Sequence, residues 1–433
     1  MLIYTPKKTR RIEYIFQLFF KDLWQIDYQI TEDKDLFINS NLPKLNYSMQ
    51  QFSDELFVES HGLLLQTEIV DQDFIFSKWD NLPIFFPSTN KNTIPFDLFS
   101  ASFYLVSRYE EYLPHFRDHY NRFKAEESLA YQNDFLDKPL VNLWAKKFKL
   151  IIKQKYPELE FPKREFKYVS TIDIDNAYYF LEKGFARNAA SFLKSFFQLD
   201  KQAILKRYNV LIGRHKDPYD TYNYQLNILK KYNLNFIYFI LLGNYGLNDK
   251  NVLVTSRKFQ LLIKNLSDFA TIGLHPSFNS NKSNRLLKIE RDRLIDITKS
   301  ELHKSRQHFL KLSLPDTYRN LVDLDIFNDY TMGYSEYPGF RASICDSYYF
   351  YDLEVEKTSP LRIHPFAIMD ATFRYYLDYT PQQSLDSIKK VVDQVKNVEG
   401  TLISVWHNET WSDYKEWKGW KLLFKDMVEY IHS

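Results

Sequence analysis

The spacing of apolar and polar positions divides the chain into two parts with different patterns. In the first part, strand-like segments such as "DELFVES" and "FIFSKW" mix with apolar residues at helical spacing over residues 96–113 and 140–156. The segment "YPELEFPKREF" follows with two prolines and charges of both signs, a composition typical of a boundary between domains. We predict an N-terminal α+β domain over residues 1–162 and a second domain over residues 163–433.

Beyond the boundary, strand-like and helical segments alternate. This alternation predicts a sheet of parallel strands connected by helices, with a barrel as one possible form. Strand patterns cover residues 166–175, 234–242, 269–277, 361–370 and 400–408, and helical patterns cover residues 221–233, 254–268, 284–301, 315–324 and 384–398.

Polar side chains stand at the carboxyl ends of several of these strands, namely Asp173 and Asp175, His275, Asp370 and His407. In β/α barrels this edge carries the active site. The two acids of "STIDID" are one residue apart, so on a strand they share a face at a spacing of about 7 Å. Two carboxylates on one face repel each other and are costly to bury. A cation, a proton or a solvated surface must therefore accompany them.

Composition excludes several classes of protein. The 57 basic and 55 acidic side chains leave a net charge of +2, which argues against a nucleic-acid partner. The single cysteine, Cys345, excludes an intrachain disulfide and a cysteine-based zinc site. The longest apolar runs, such as residues 236–242, are too short to span a bilayer, and charges interrupt the N-terminal segment, which predicts an amphipathic helix. We expect a cytoplasmic protein without a membrane span.

Four motifs in chain order, "STIDID", "IGLHPS", "GFRAS" and "LISVWHN", resemble the motif series of polysaccharide deacetylases of the NodB-homology type, carbohydrate esterase family four. "FYLVSRYEEYL", "SRQHFL" and "DYTMGY" resemble more closely a Bacteroidetes branch of that family with an additional N-terminal domain. The resemblance covers essentially the whole chain. It implies a distorted (β/α) barrel preceded by an α+β accessory domain.

The resemblance also implies a reaction. Such enzymes use a divalent metal, usually zinc, to remove the acetyl group from an N-acetylated sugar or glycan precursor. The metal polarises the acetyl oxygen and binds the attacking water. The expected cytoplasmic location favours a nucleotide-linked or lipid-linked intermediate, or a small glycoside, as the substrate.

The implied roles carry over residue by residue. Asp173 matches the general base, and Asp175 matches the metal-binding aspartate, although Ile174 separates the usually adjacent pair and leaves their assignment open. His275 matches a metal-binding histidine, and His407 matches the histidine that protonates the leaving amine.

Two further residues match supporting positions of the family. Arg341 in "GFRAS" matches the arginine that holds the base aspartate in its ionised form, and Asp370 matches the late aspartate that orients the acid histidine. His364 lies six residues before Asp370 in the same predicted strand, and we interpret it as structural. We likewise interpret "SRYEEYL", residues 107–113, as a structural ion pair on a helix.

The metal site departs from the family pattern at one position. The second histidine of the family's pair is replaced by Asn279, whose neutral carbonyl oxygen is a poor zinc ligand. His308 in "SRQHFL" follows the next predicted helix and is the alternative third ligand, or else an ordinary surface or core histidine.

Two other hypotheses remain open in the sequence. Without a third ligand, the protein would be a catalytically inactive, metal-free carbohydrate-binding or scaffolding protein of surface-polysaccharide assembly. With a complete site, the substrate could also be a different amide or an ester.

Overall fold

The computed structural model describes residues 1–89, 94–184 and 201–433. The first part of the chain forms a parallel sheet in the order β2-β1-β3-β4 and a separate antiparallel pair, β5 with β6. These strands are β1 Leu2–Tyr4, β2 Gln29–Thr31, β3 Lys44–Ser48, β4 Leu56–Glu59, β5 Ser77–Trp79 and β6 Leu82–Ile84.

Several α-helices of this part begin at capping side chains. Thr9 and Asp97 accept hydrogen bonds from backbone N–H groups of the helices that follow them. The predicted helix over 96–113 ends earlier than expected, because Arg108 adopts a left-handed conformation with φ of 55°. The α-helices are Arg10–Phe16, Lys34–Asn39, Leu98–Val106, Leu129–Gln132 and Leu140–Lys155, a π-helical segment covers Gln17–Leu23, and 3-10 turns cover Leu63–Leu65, Tyr109–Tyr112 and Ala125–Glu127.

The second part alternates strands and helices, as the sequence predicts. Its strands are β7 Lys167–Ile174, β8 Asn235–Leu241, β9 Thr271–His275, β10 Lys304–Ser305, β11 Asn328–Asp329, β12 Tyr348–Asp352, β13 Lys357–Ile363, β14 Ile368–Met369 and β15 Thr401–His407. Its α-helices are Lys201–Leu211, Tyr222–Tyr232, Arg257–Ser267, Asn284–Thr298, Asp316–Val322, Pro381–Asn397 and Trp420–His432. Shorter helical turns cover Ser280–Lys282, His308–Leu310, Thr372–Tyr376, Asn408–Ser412 and Lys415–Trp417.

These strands form one sheet in the order β12-β13-β11-β10-β9-β8-β7-β15-β14. All pairs are parallel except β12 with β13, so the carboxyl ends of the parallel strands lie at one edge. Within the described ranges, β12 and β14 stand at the two ends of this order, and the closed barrel stays a prediction.

Both faces of the sheet are apolar. In β8, Tyr238 and Ile240 belong to a large cluster that includes residues from both parts of the chain, whereas Ile237 and Phe239 belong to a smaller one. Parallel strands buried on both faces carry such continuous apolar runs, which is why β8 and β15 are easy to recognise in the sequence. The division into two domains at residue 162 stays a prediction.

The single strand predicted over 361–370 is wrong. The chain leaves β13 at Ile363, and β14 then pairs with β15 near the other end of the sheet order. Pro365 has no N–H to donate and restricts the backbone of the residue before it, so the strand cannot continue regularly. His364 consequently follows the end of β13, whereas Asp370 follows the end of β14.

In the described ranges, no helix has both the length and the apolar character that a bilayer crossing requires.

Candidate metal and catalytic site

Three donor groups converge at the carboxyl edge of the sheet, and we call Asp175, His275 and His308 the donor cluster. One donor atom from each lies within 4.8 Å of the other two. Nε2 of His275 is 3.1 Å from Oδ1 of Asp175, and Nε2 of His308 is 3.4 Å from Oδ2 of the same carboxylate. His308 thus lies beside the two other predicted ligands, whereas Asn279 is exposed.

The second nitrogen of each imidazole is held by another group. Nδ1 of His275 lies 2.5 Å from the carbonyl oxygen of Arg306, and Nδ1 of His308 lies 2.8 Å from Oδ1 of Asp249. Because both oxygens can only accept, each Nδ1 carries a hydrogen, so in the neutral imidazole the lone pair is on Nε2 and faces the cluster. One carboxylate and two imidazoles oriented in this way fit a zinc ion.

Burial and mutual attraction shift the pKa values in the donor cluster. Burial raises the pKa of Asp175, but the neighbouring His308 and His275 outweigh it, and the net pKa is well below the ordinary value. Burial lowers the pKa of His308, but Asp175 and Asp249 outweigh this and raise it to about 9. Since a metal needs the neutral imidazole, metal binding must release the proton of His308.

Asp173 lies beside the donor cluster and is anchored by an arginine. Its Oδ1 accepts a hydrogen bond from Nη1 of Arg306 at 2.9 Å, and its Oδ2 lies 3.8 Å from Nε2 of His275. Arg306 is fully buried and also donates to the hydroxyl of Thr171 and the carbonyl of Tyr330. One carboxylate oxygen of Asp173 is therefore fixed by a cation, while the other faces the donor cluster.

The predicted pairing of Arg341 with the base aspartate is wrong. Arg341 donates to Glu111 through Nε at 2.9 Å and through Nη2 at 2.6 Å, and to the carbonyl of Gly333. The order of the motifs does not show which of the two arginines pairs with Asp173. In the structure this is Arg306, which directly follows β10.

The predicted ion pairing within "SRYEEYL" is confirmed. Arg108 contacts Glu110 and Glu111, each at 2.7 Å, and Glu111 also binds Arg341. We call Arg108, Glu111 and Arg341 the ion-pair cluster. The side chains of all three are only 2–3% exposed.

His407 ends β15 and is the register partner of Asp173 on β7. Its Nδ1 lies 2.7 Å from Oδ1 of Asp370, and Oδ2 of that carboxylate accepts from the backbone N–H of His407 and from the Thr410 hydroxyl. Burial lowers the pKa of His407, but Asp370 outweighs this, and the net pKa is well above the ordinary value. Nε2 of His407 is 3.8 Å from Oδ2 of Asp175, so the predicted acid and its orienting aspartate lie beside the donor cluster.

A cavity of about 310 Å³ opens onto these groups. Asp173, His407 and the three members of the donor cluster all line it. Aromatic residues complete much of the lining, namely Phe309, which follows His308, and Tyr120, Tyr375 and Tyr376 from two other segments.

Sequence reasoning missed two groups that hold the site together. Arg306 stands two residues before His308 in "SRQHFL", so the motif contained the signal, but β10 has only two residues and no readable strand pattern. Asp249 lies in a loop without a pattern. His364 stacks on Tyr330 with ring centroids 4.4 Å apart, in keeping with its structural interpretation.

Comparisons with known proteins give one family match and several structural matches. A model of a family of unknown function, DUF7033, matches residues 1–157. No curated protein matches the sequence of this chain.

Solved structures similar to this chain include polysaccharide deacetylases. One is a Mycobacterium smegmatis protein assigned to that class, with 12% identity, coverage of 63% of this chain and 85% of that chain, and a TM-score of 0.41. A Bacillus cereus polysaccharide deacetylase has 10% identity, coverage of 62% and 88%, and a TM-score of 0.29. A CE4-family pseudoenzyme from Bacillus anthracis has 9% identity, coverage of 61% of each chain and a TM-score of 0.31. At these values function has to be inferred from the geometry of the site.

Proposed function

We propose that the protein is a metal-dependent deacetylase that hydrolyses the N-acetyl group of an acetylated sugar or glycan precursor. The observation that supports this most directly is that the donor cluster shares its cavity with two proton-transfer groups. Each of these groups is anchored from behind, Asp173 by Arg306 and His407 by Asp370.

The donor cluster would hold the metal through Asp175, His275 and His308. Three protein ligands leave a coordination position open for water or substrate, as catalytic zinc sites require. When bound, zinc would polarise the acetyl oxygen and lower the pKa of the attacking water.

Asp173 is placed to accept a proton from the water. Its Oδ2 faces the donor cluster, and the bond from Arg306 to Oδ1 fixes the orientation of the carboxylate and balances its charge. Attack of the water oxygen on the acetyl carbon forms the new C–O bond of acetate.

His407 is placed to complete the reaction on the nitrogen side. Asp370 accepts from Nδ1, which directs Nε2 towards the cavity and favours the protonated ring. As the C–N bond breaks, Nε2 gives its proton to the leaving amine, so water and amide yield acetate and a free amino sugar.

The experiment that tests this proposal is acetate release from N-acetylated sugars by the full-length protein. We expect turnover with zinc, loss of turnover after chelation, and recovery when zinc is restored. A protein that takes up no zinc, or that is loaded with zinc and releases no acetate from a broad panel of sugars, would contradict it.

The alternative of a metal-free binding or scaffolding protein arises from the missing second histidine. His308 lies where the third donor is needed, and its Nδ1 is held by Asp249 as expected for a metal-binding imidazole. The geometry therefore favours hydrolysis.

A further inference from the structure

We propose that the turn Asp118–Arg122 of the N-terminal part is the sugar-binding wall of the cavity. Tyr120 supplies the aromatic face on which the sugar ring packs, and Arg122 is a positioning residue that fixes the turn. The inference rests on the proposed function, because it takes the acetylated sugar of that reaction as the ligand.

Tyr120 is brought to the site by contacts between aromatic rings. It lines the same cavity as the donor cluster, although it precedes Asp173 by about 50 residues. Its ring centroid is 4.8 Å from that of Phe309 and 6.1 Å from that of Phe278. Because Phe309 directly follows His308, the turn lies next to the segment that carries a metal-binding side chain.

Arg122 ties the turn to three segments of the second part. Its Nη1 donates to the carbonyl of Phe309 at 3.0 Å, and its Nη2 lies 3.2 Å from Oε1 of Glu336 and 3.3 Å from the hydroxyl of Tyr376. Its Nε donates to Asp118 at 2.7 Å, and the side chain is only 6% exposed. A buried guanidinium with four defined oxygen partners is a rigid anchor.

The carbonyl group of Phe309, which accepts the hydrogen bond from Arg122, belongs to a backbone segment in an unusual conformation. Phe309 has a φ of 60° and Leu310 a φ of 53°, and aromatic and branched residues rarely adopt this left-handed conformation. Such a conformation persists only where its surroundings hold it in place. The hydrogen bond from Arg122 is one of the contacts that do so.

The turn is also ordered by its own hydrogen bonds. Oδ1 of Asp118 accepts from the backbone N–H groups of Tyr120 and Arg122, at 2.9 and 2.8 Å. The backbone of Tyr120 is therefore held in place before a ligand arrives, which reduces the entropic cost of binding.

Aromatic side chains suit a sugar because the C–H groups of the ring can lie on an aromatic face while the hydroxyl groups remain in contact with water. Tyr375 and Tyr376, 56% and 43% exposed, offer further rings at the same cavity. The volume of about 310 Å³ is near the lower end of ligand pockets, roughly 300–1,000 Å³. We therefore infer that one sugar ring, free or at the end of a chain, enters the site.

Saccharide binding by the full-length, zinc-free protein tests the role of Tyr120. The probes are N-acetylglucosamine and its β1,4-linked dimer, measured by calorimetry or saturation-transfer NMR. We expect Tyr120→Ala to weaken binding by about 3- to 10-fold and Tyr120→Phe by less than about twofold. Phe116→Ala is the matched control, since Phe116 is an aromatic residue of the same segment that is 75% exposed, and it should bind as the wild type does.

The outcomes separate this inference from the proposed function. Equal affinity of wild type and Tyr120→Ala, or no binding of either saccharide by the wild type, overturns the inference. Tyr120-dependent binding by the zinc-free protein, together with no acetate release by the zinc-loaded protein, supports the inference and contradicts the proposed deacetylase activity. If zinc-loaded Tyr120→Ala releases acetate with the KM of the wild type, the inference is overturned and the proposed deacetylase activity is supported.

A double-mutant cycle tests the positioning role of Arg122. If Arg122 acts through Tyr120, Arg122→Gln weakens binding, and the double variant with Tyr120→Ala binds no more weakly than Tyr120→Ala alone. Zinc content should stay at the wild-type level. Additive effects, or loss of zinc in Arg122→Gln, would contradict this role.

Discussion

The donor cluster and the ion-pair cluster are both buried, and each combines carboxylates with nitrogen-bearing side chains. In the ion-pair cluster, both oxygens of Glu111 accept hydrogen bonds from Arg108 and Arg341, and all three side chains are almost inaccessible. In the donor cluster, two Nε2 atoms point at one carboxylate, and the group borders a cavity.

The two clusters differ in what their polar atoms face. Glu111 and its two arginines bind one another, and the contacts of Glu111 with Arg341 and of Arg108 with Tyr334 join the N-terminal part to the second part. His275 and His308 are held from behind by the Arg306 carbonyl and by Asp249, and their Nε2 atoms converge on the Asp175 carboxylate at the cavity. Buried charged groups whose donor atoms converge on an accessible cavity therefore indicate a chemical function. Buried charged groups that bind one another indicate a structural role.

Removing a member of the donor cluster should produce the largest effect. We expect the wild type to carry near-stoichiometric zinc and His308→Ala to lose it, because two remaining ligands hold zinc poorly. Elemental analysis of the purified proteins measures this. His303→Ala is the control, since His303 lies five residues earlier and its side chain is 47% exposed. Zinc retained by His308→Ala would show that the third ligand is another residue.

Asp173→Asn should keep the metal and lose turnover. The amide retains an oxygen for Arg306 but cannot accept a proton, and loss of a general base lowers kcat by roughly 10²- to 10⁴-fold. Steady-state acetate release together with zinc content measures the effect, with the exposed Asp323→Asn as control. Turnover at the wild-type rate would show that a different residue is the base.

Glu111→Ala should act on stability instead of chemistry. It leaves Arg108 and Arg341 buried without their shared partner, and removing one member of a buried ion pair lowers the free energy of unfolding by about 3–5 kcal/mol. Urea denaturation measures this, with the exposed Glu158→Ala expected within about 0.5 kcal/mol of the wild type. A loss no larger than that of the control would mean that the two arginines find other partners.

The smallest effect should appear as a pH dependence of stability. Burial raises the pKa of Glu111, but Arg341 and Arg108 outweigh this and lower it to about 2. Since the pKa in the unfolded chain is about 4.3, Glu111 stabilises the fold above that pH and loses this contribution as the pH falls towards 2. Between pH 5 and pH 3, the free energy of unfolding should fall more steeply for the wild type than for Glu111→Gln. Equal slopes would contradict the lowered pKa.

The sequence predicted the parts of the fold that have local patterns. Strands β8 and β15 are largely apolar runs, β7 ends in the motif "STIDID", and the ends of β7 and β15 locate Asp173, Asp175 and His407. Strands β10, β11 and β14 have two residues each, too few for any periodicity, and the boundary between β13 and β14 was missed for the same reason.

By itself, the sequence determined the residue types of the site and their positions at strand ends, because hydrophobic periodicity and motif order are local properties. Only the tertiary structure decided that Arg306, and not Arg341, holds Asp173, and that His308 stands beside Asp175 and His275. It also decided that Tyr120, from the other part of the chain, lines the same cavity. These contacts depend on the order of strands in the sheet and on the packing of distant segments, which no local pattern encodes.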